Sequence, residues 1–312
     1  MKKLAPVVLF TYNRLRHLRI TINALKENDM AGESILFIFS DGPRDDEDES
    51  RVNAVRDFLS RINGFKDVIV VNRDRNWGLA DNIVDGVTRV INEYGRAIVL
   101  EDDIVTSPYF LRFMNEALRI YEGEDRVMHI SGYMFPIKKE GLPGAFFIKP
   151  TTCWGWATWK EAWKAFNREA KKWIGYFNEE EIRDFNLNHA YDYWEQLRLN
   201  YEGKIKTWAI FWYLSVYAVG GLSLHPRDSL TRNIGFDKRG THCRELPFHR
   251  DELSYNSEWD FPREIKESSL ARNRLEEYFN KIKGLSQKSA EIPNFYANLR
   301  DLIKRMIYHE GL

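Results

Sequence analysis

Apolar residues within the first 130 positions of the chain follow two different spacings. Short continuous apolar runs, rich in β-branched residues, predict buried strands, and between them apolar residues recur every three or four positions, as in amphipathic helices. Strands that alternate with helices form a mostly parallel sheet covered by helices on both faces, so we predict an α/β fold. The predicted strands are residues 6–11, 35–39, 68–71 and 97–100.

Polar residues stand where three of these strands end. Asn13 follows the first strand, Asp41 follows the second, and an acidic triplet at residues 101–103 follows the fourth. In open α/β sheets, ligands bind beyond the carboxyl ends of the strands, near the change in strand order. We therefore expect the functional site at this edge of the sheet.

The pattern changes after residue 130, where further strands, a Trp-rich stretch and amphipathic helices follow one another. This change divides the chain into a first half at 1–130, a second half at 131–245 and a helical C-terminal extension at 246–312.

Three local features complete the predicted architecture. A helix is expected to begin at Ser107-Pro108, because Ser is a good cap and Pro suits the first helical position. The acidic run at 45–49 is expected to be a solvated loop, and residues 284–293 a linker.

Composition limits the classes of partner and the compartment. Lys plus Arg and Asp plus Glu both number 46, so the chain has no net charge that would attract nucleic acid. Two cysteines, Cys153 and Cys243, are too few for a disulfide framework and suit reduced thiols in a cytoplasmic protein. No apolar stretch of about 18 residues predicts a transmembrane helix, and the short N-terminal apolar run does not resemble a signal peptide.

The triplet Glu101-Asp102-Asp103 carries the clearest chemical signal. Three consecutive carboxylates at the end of a buried strand repel one another and resist desolvation, and a divalent cation relieves both effects. Oxygen ligands of this kind suit Mg²⁺ or Mn²⁺. The alternative is that the triplet forms the acidic beginning of the next helix.

Five segments, in order and at matching spacing, resemble the GT-A glycosyltransferases. The similarity is greatest to the family-two enzymes of bacterial surface-polysaccharide synthesis and to the N-acetylglucosaminyltransferase I branch, and it covers roughly residues 5–245. The segments are VVLFTYNR (7–14), SDGPR (40–44), NRDRNWGLADN (72–82), IVLEDDIV (98–105), and WGWATW (154–159) paired with TRNIGFDKRGTH (231–242).

The resemblance implies a nucleotide-sugar donor, a divalent metal and a glycan acceptor. Asp41 would contact the base, Asp102 the ribose or the sugar, and Asp103 the metal, with His242 as a further metal or diphosphate ligand. Trp154, Trp156 and Trp208 would face the acceptor, which could be a glycan or a lipid-linked glycan. The remaining nucleotide-sugar contacts would be Thr11, Asn13, Arg14, Arg75, Asn76, Gly78, Asp81, Asn82 and Glu101.

The catalytic base departs from the pattern of the family. Relatives often carry an Asp beside the first Trp of a segment that matches residues 207–212, whereas this chain has Lys206 and Ala209 there. By sequence position, Glu195 and Asp192 are the preferred replacements. An inverting reaction is the favoured interpretation, and a retaining reaction stays open.

Two other functions stay open at this point. A non-catalytic protein that binds a sugar nucleotide, or acts as a scaffold, is favoured by the missing acid near Trp208. A sugar nucleotidyltransferase would normally carry a Gly-rich phosphate loop early in the chain, and residues 7–20 contain none.

The C-terminal segment also has a distinct pattern. Residues 295–309 form a basic amphipathic pattern, which could place a peripheral helix on the inner face of a membrane or pack on the protein itself.

Overall fold

The computed structural model describes residues 4–235 and 252–289, with side chains described as far as residue 284. The strands are β1 (Val7–Thr11), β2 (Ile35–Ser40), β3 (Asp67–Asn72), β4 (Arg96–Glu101), β5 (Ile104–Thr106), β6 (Val127–Ser131), β7 (Ala145–Ile148), β8 (Trp156–Trp159), β9 (Leu222–Pro226) and β10 (Thr231–Asn233). The helices are α1 (Leu15–Lys26), a short 3-10 helix (Ala31–Glu33), α2 (Asp46–Leu59), α3 (Leu79–Tyr94), α4 (Phe110–Ile120), α5 (Lys160–Trp163), α6 (Ala170–Trp173), α7 (Glu179–Phe185), α8 (Tyr193–Tyr201), α9 (Ala209–Ala218) and α10 (Ser269–Ser289).

A mixed sheet runs through the described part of the chain, with helices packed against it. Its eight strands lie in the order β3-β2-β1-β4-β8-β6-β9-β7. The first four are parallel to one another, and β8 joins them by pairing antiparallel with β4 and β6. The predicted α/β class is therefore confirmed, and the two predicted halves of the chain share one sheet.

Two hydrophobic clusters cover the faces of this sheet, as expected where parallel strands are apolar along their whole length. The larger cluster includes Leu9, Phe110 and Leu224. The smaller one gathers Phe10, Phe39 and helix α3 with several tryptophans. The rings of Trp156 and Trp208 stack there at a centroid distance of 5.3 Å.

The C-terminal extension packs on the far edge of the sheet. Glu267 forms an isolated bridge with Phe147 of β7, and Ala271, Leu275 and Phe279 of α10 are buried in the larger cluster. The Phe279 ring lies 5.0 Å from that of Phe135, edge to face. Helix α10 continues to Ser289, so the predicted linker at 284–293 is wrong over its first six positions.

Two local predictions were also wrong, since the acidic run is exposed but helical and α4 starts later than expected. The acidic run is the beginning of α2, because the Asp45 side chain accepts a hydrogen bond from the Asp48 N–H at 3.0 Å, and carboxylates are favoured at this end of a helix. Helix α4 begins at Phe110, and the Ser107 hydroxyl accepts only a 3.3 Å hydrogen bond from the Tyr109 N–H.

Candidate functional site

A cavity with about 530 Å³ of empty space opens where β1, β2 and β4 end. We call it the strand-end cavity. Its position agrees with the rule for ligands of open α/β sheets. It is lined by Phe10, Thr11, Tyr12, Arg14, Asp41, Arg44, Asn76, Gly78, Leu79, Asn82, Glu101 and Asp102.

Asp102 is held by partners on both carboxylate oxygens. The Thr11 hydroxyl and the Tyr12 N–H donate to Oδ2 at 2.9 and 3.4 Å. The Arg14 guanidinium donates to Oδ1 at 2.5 Å, and the Thr21 hydroxyl donates to the Asp102 carbonyl. The first strand, the first helix and the triplet are thereby joined, which accounts for the position of Thr11 and Arg14 in the lining.

Asp103 differs from Asp102 because one of its carboxylate oxygens has no partner. Arg14 donates to Oδ2 at 3.0 Å, whereas Oδ1 is buried without a hydrogen bond. Burial raises the pKa of Asp103 to about 6 against the attraction of Arg14, and the charges of Glu101 and Asp102 add to the increase. A buried carboxylate oxygen without a partner, beside two further carboxylates, is an unfavourable arrangement that a cation would relieve.

The donor set around the triplet fits a divalent cation only in part. No group of three metal-ligating side chains occurs within residues 4–235 and 252–284, so the described protein offers chiefly the free oxygen of Asp103. Mg²⁺ usually takes one or two carboxylates and completes its shell with phosphates and waters, which agrees with such a set. His242, the other predicted ligand, lies outside the described residues.

The segment before His242 passes directly over Asp103. The Ile234 N–H donates to the Asp103 carbonyl at 2.9 Å, and β10 pairs antiparallel with β5. A Cβ at Gly235 would lie 2.3 Å from Asp103 Oδ2, so only glycine fits against the carboxylate there. Because β5 directly follows the triplet, the triplet does not form the beginning of a helix.

Asp41 connects the end of β2 to the loop before α3. Its Oδ1 accepts from the Gly42 and Trp77 N–H groups at 2.9 and 2.8 Å, and its Oδ2 accepts from the Gly78 N–H at 3.0 Å. The Asn76 amide donates to the Gly42 carbonyl. Asp41 therefore lines the cavity and also fixes the shape of the loop that forms its wall.

The other residues predicted between 75 and 82 have different surroundings. The Asn82 side chain lines the cavity and accepts from Arg73 at 2.9 Å. Asp81 pairs with Arg168 and Lys206 at 2.5 and 2.6 Å, and it is not part of the cavity lining. Arg75 is exposed and also lies outside the lining.

Four residues of the lining were missed by the sequence analysis, namely the apolar Phe10 and Leu79 and the polar Tyr12 and Arg44. The Arg44 guanidinium lies over the Tyr12 ring, 5.4 Å from its centroid, and the Tyr12 hydroxyl donates to Asp48. Burial and the bond to Asp48 raise the pKa of Tyr12 to about 12. Tyr12 and Arg44 lie within two of the segments that resemble the GT-A glycosyltransferases, so the sequence contained the information that could have identified them. Asn13 also donates to Asp48, at 2.8 Å, and does not line the cavity.

The three tryptophans predicted to face an acceptor are separated in the fold. Trp156 and Trp208 are each only 1% exposed and lie inside the smaller core cluster. Trp154 lines a second cavity, which we call the aromatic cavity, with about 470 Å³ of empty space.

The two base candidates lie at the start of α8, outside the lining of both cavities. Asp192 caps this helix, because its Oδ1 accepts from the Glu195 N–H at 3.1 Å. Glu195 pairs with Arg198 at 2.8 Å, one turn along the helix. Their helical neighbours Tyr193 and Gln196 do line the aromatic cavity.

The last two observations concern the Cys153 thiol and helices that could cross a membrane. The buried Cys153 is a free thiol, and burial raises its pKa well above the usual value. None of the helices in residues 4–235 and 252–289 has the length and apolar character needed to cross a membrane. The predicted basic helix at 295–309 lies outside the described residues.

Comparisons with known proteins give distant resemblances only. No family model matches the chain, and no curated protein is significantly similar to it in sequence. A mannosyltransferase from Pyrobaculum calidifontis, in complex with GDP-Man and Mn²⁺, is 11% identical with a TM-score of 0.39, over 69% of this chain and 68% of that one.

Two structures of S. aureus TarS are also similar. TarS 1–349 is 11% identical with a TM-score of 0.42, over 73% of this chain and 59% of that one. The other is 14% identical with a TM-score of 0.31, over 43% of this chain and only 22% of that one. The chain thus spans less than two thirds of either TarS structure, and such resemblances concern the backbone alone.

Proposed function

We propose that this chain is a metal-dependent glycosyltransferase of the GT-A type, which moves a sugar from a nucleotide sugar, UDP-linked, to a glycan acceptor in surface-polysaccharide synthesis. One observation carries the proposal. A buried carboxylate oxygen of Asp103 has no partner, and its neighbour Arg14 lines a cavity at the ends of three parallel strands. A diphosphate with its cation is the kind of ligand that such a site would stabilise.

The lining of the strand-end cavity supports the binding of a nucleotide. The Tyr12 ring offers an aromatic surface for a base, and the exposed Arg44 beside it offers a positive charge for a phosphate. Asp41 keeps the loop at 76–78 in one shape, so the wall is formed before the ligand arrives.

Asp103, with His242, would hold Mn²⁺ or Mg²⁺. The ion would neutralise the negative charge that develops on the departing nucleoside diphosphate. Arg14 keeps Asp102 and Asp103 side by side, because its guanidinium contacts both carboxylates. Thr11 and Tyr12 fix Asp102 from the other side, so the carboxylates are oriented before the donor binds.

The transfer itself is a single inverting displacement at the anomeric carbon. The acceptor oxygen forms the new bond, the bond to the diphosphate oxygen breaks, and a carboxylate removes the proton of the acceptor hydroxyl. Glu195 and Asp192 are the proposed bases, on the helix that also supplies Tyr193 and Gln196 to the aromatic cavity. The acceptor approaches from that side.

The test is release of UDP from UDP-sugars, measured with Mn²⁺ and after removal of the metal by EDTA. We expect EDTA to abolish release, and Asp103→Asn to lower kcat by at least a hundredfold, since a neutral amide binds hard cations poorly. The matched control is Asp57→Asn, an exposed aspartate on α2, which should retain the activity of the unaltered protein.

Full metal-dependent activity of Asp103→Asn would overturn the proposal. Release of pyrophosphate in place of UDP would assign the chain to the nucleotidyltransferases. Tight binding of UDP-sugar without turnover would support a non-catalytic binding protein. The ion pairs of Arg14 favour this second candidate, because they already compensate part of the charge of the triplet.

A further inference from the structure

The Arg14 guanidinium separates the Asp103 carboxylate from the strand-end cavity. Arg14 is among the residues that line this cavity, whereas Asp103 is not. The Asp103 side chain is only 10% exposed, its Oδ2 atom accepts from Arg14 at 3.0 Å, and its Oδ1 atom is buried. A cation that entered through the cavity would therefore meet the guanidinium before it reached either oxygen of Asp103.

The main chain near Gly235 encloses Asp103 as well. A Cβ at Gly235 would lie 2.3 Å from Asp103 Oδ2, so the backbone itself packs against the carboxylate. The Ile234 N–H donates to the Asp103 carbonyl, and the pairing of β10 with β5 holds this segment in place. A partly exposed side chain changes rotamer much faster than a paired backbone moves, so Arg14 is the more movable part of the enclosure.

The Arg14 side chain has hydrogen-bonding capacity that the protein does not use. Its contacts with Asp102 and Asp103 are both made by Nη2, at 2.5 and 3.0 Å. Within the part of the chain that the structure describes, nothing accepts from its Nε or Nη1. The Arg14 carbonyl accepts from the Leu18 N–H at 3.1 Å, so the main chain is held independently of the side chain. The guanidinium can therefore turn to a new partner while the start of α1 stays intact.

We infer that Arg14 excludes a divalent cation from Asp103 until a diphosphate draws the guanidinium away. A guanidinium and a cation both bind carboxylate oxygens and repel each other, so they compete for the pair Asp102 and Asp103. The planar fork of arginine contacts two phosphate oxygens at once, so a diphosphate can replace the carboxylates as its partner. This role of Arg14 rests on the proposed function, and it adds that diphosphate and cation bind as a coupled pair.

The surroundings of the two aspartates explain the coupling. Asp102 stays in place without Arg14, because the Thr11 hydroxyl and the Tyr12 N–H donate to its Oδ2. Asp103 receives no other side-chain donor from the described residues. Departure of the guanidinium alone would leave the buried Asp103 carboxylate uncompensated, which is unfavourable. A diphosphate that takes Arg14 is thus bound most favourably when a cation takes its place at Asp103.

The test measures the binding of Mn²⁺ alone, without nucleotide, by the loss of the electron paramagnetic resonance signal of aqueous Mn²⁺. We expect Arg14→Gln to bind Mn²⁺ roughly tenfold more tightly than the unaltered protein, or better, because the competing charge-assisted bonds are gone. Weaker or unchanged binding would mean that Arg14 only supports the carboxylates, and would overturn its role. The matched control is Arg19→Gln, an exposed arginine of α1 that lies over the Phe58 ring, which should bind Mn²⁺ as the unaltered protein does.

Unfolding temperatures show whether the variant is folded and report the same competition. Arg14→Gln leaves two close carboxylates without their shared guanidinium, so its unfolding temperature without metal should decrease. Mn²⁺ should then raise that temperature more than it does for the unaltered protein. Arg14→Lys keeps a positive charge, and its affinity for Mn²⁺ should lie between the other two. If Arg14→Gln does not fold, Arg14→Lys must still bind Mn²⁺ more tightly than the unaltered protein.

Binding of Mn²⁺ in the presence of UDP separates this role from the proposed function. After subtraction of the Mn²⁺ that UDP itself holds in solution, UDP should raise the affinity of the unaltered protein for Mn²⁺, and by a smaller factor in Arg14→Gln. If neither protein binds Mn²⁺ with or without UDP, the proposed function fails and the role of Arg14 with it. If the unaltered protein binds Mn²⁺ with UDP, but Arg14→Gln binds Mn²⁺ alone no better, only the role of Arg14 is overturned.

Discussion

Single residues of the same type have different roles because their partners differ. Asp41 receives three backbone N–H bonds and lies at the end of β2, whereas Asp103 keeps one buried oxygen free. The sequence presents both as aspartates after an apolar strand. The two aspartates differ because the loop at 76–78 donates to Asp41, whereas Arg14 donates to Asp103. Both arrangements result from long-range contacts.

Single substitutions also test which residue is the catalytic base. Asp192→Asn should keep the cap of α8, since asparagine caps helices as well as aspartate does. If Asp192 is the base, this variant lowers kcat by about a hundredfold or more, with an unchanged unfolding temperature. The measurement is steady-state release of UDP with saturating donor and acceptor.

Glu195→Gln is the companion variant, and it loses its ion pair with Arg198. Exposed pairs of this kind contribute roughly 0.5 kcal/mol, so its stability should hardly change. A kcat reduced a hundredfold would identify Glu195 instead. Normal kcat in both variants would exclude the two candidates together.

At the scale of elements, the sequence predicted strands better than helix boundaries. The apolar runs were long enough to locate β1, β2, β3 and β4 within one residue at each end. The start of α4 was misplaced because Ser107 and Pro108 form a turn that precedes the helix. Helix α10 continues past Gly284, although the sequence there resembles a linker.

Helix α10 should stabilise the wall of the aromatic cavity. Phe279 is 3% exposed and packs against Phe135, which lines that cavity. We expect Phe279→Ala to lower the free energy of unfolding by about 3–5 kcal/mol, as large core truncations do. Chemical denaturation measures this change directly.

Leu270→Ala is the control for α10, because that side chain is 37% exposed. Its effect should stay within about 1 kcal/mol. Equal effects of the two substitutions would mean that Phe279 does not fasten the helix to the sheet.

At the scale of the whole molecule, the sequence predicted the strand-end cavity and missed the aromatic one. Parallel strands bring their carboxyl ends to one edge, so polar residues after β1, β2 and β4 had to meet. The aromatic cavity is assembled from the segments 133–135, 151–154, 193–196 and 209–213. No spacing within one segment reveals that juxtaposition.

The buried histidines should make the stability of the whole fold depend on pH. Burial lowers the pKa of His129 to about 3, and the nearby His225 contributes. In the unfolded chain this histidine binds a proton below about pH 6.5, whereas the folded protein keeps it neutral. Its stabilisation is therefore complete above pH 6.5 and is lost as the pH falls, by about 2 kcal/mol at pH 5.

His129→Gln removes this titration while keeping one donor and one acceptor. The difference in unfolding free energy between pH 7 and pH 5 should then shrink by about 2 kcal/mol. His189→Asn, at an exposed position whose positive φ of 64° asparagine tolerates, should leave the difference unchanged. An unaltered pH dependence of stability in His129→Gln would contradict its assignment to the titration of His129.

The pairing of β4 with β8 has a consequence for how substrates are selected. Four consecutive residue pairs join these strands, from Arg96 with Trp159 to Val99 with Trp156. Glu101, at the end of β4, lines the strand-end cavity, and Cys153, just before β8, lines the aromatic cavity, so this ladder holds the two linings at a fixed spacing. A substrate that occupied both cavities would therefore have to match that spacing in length.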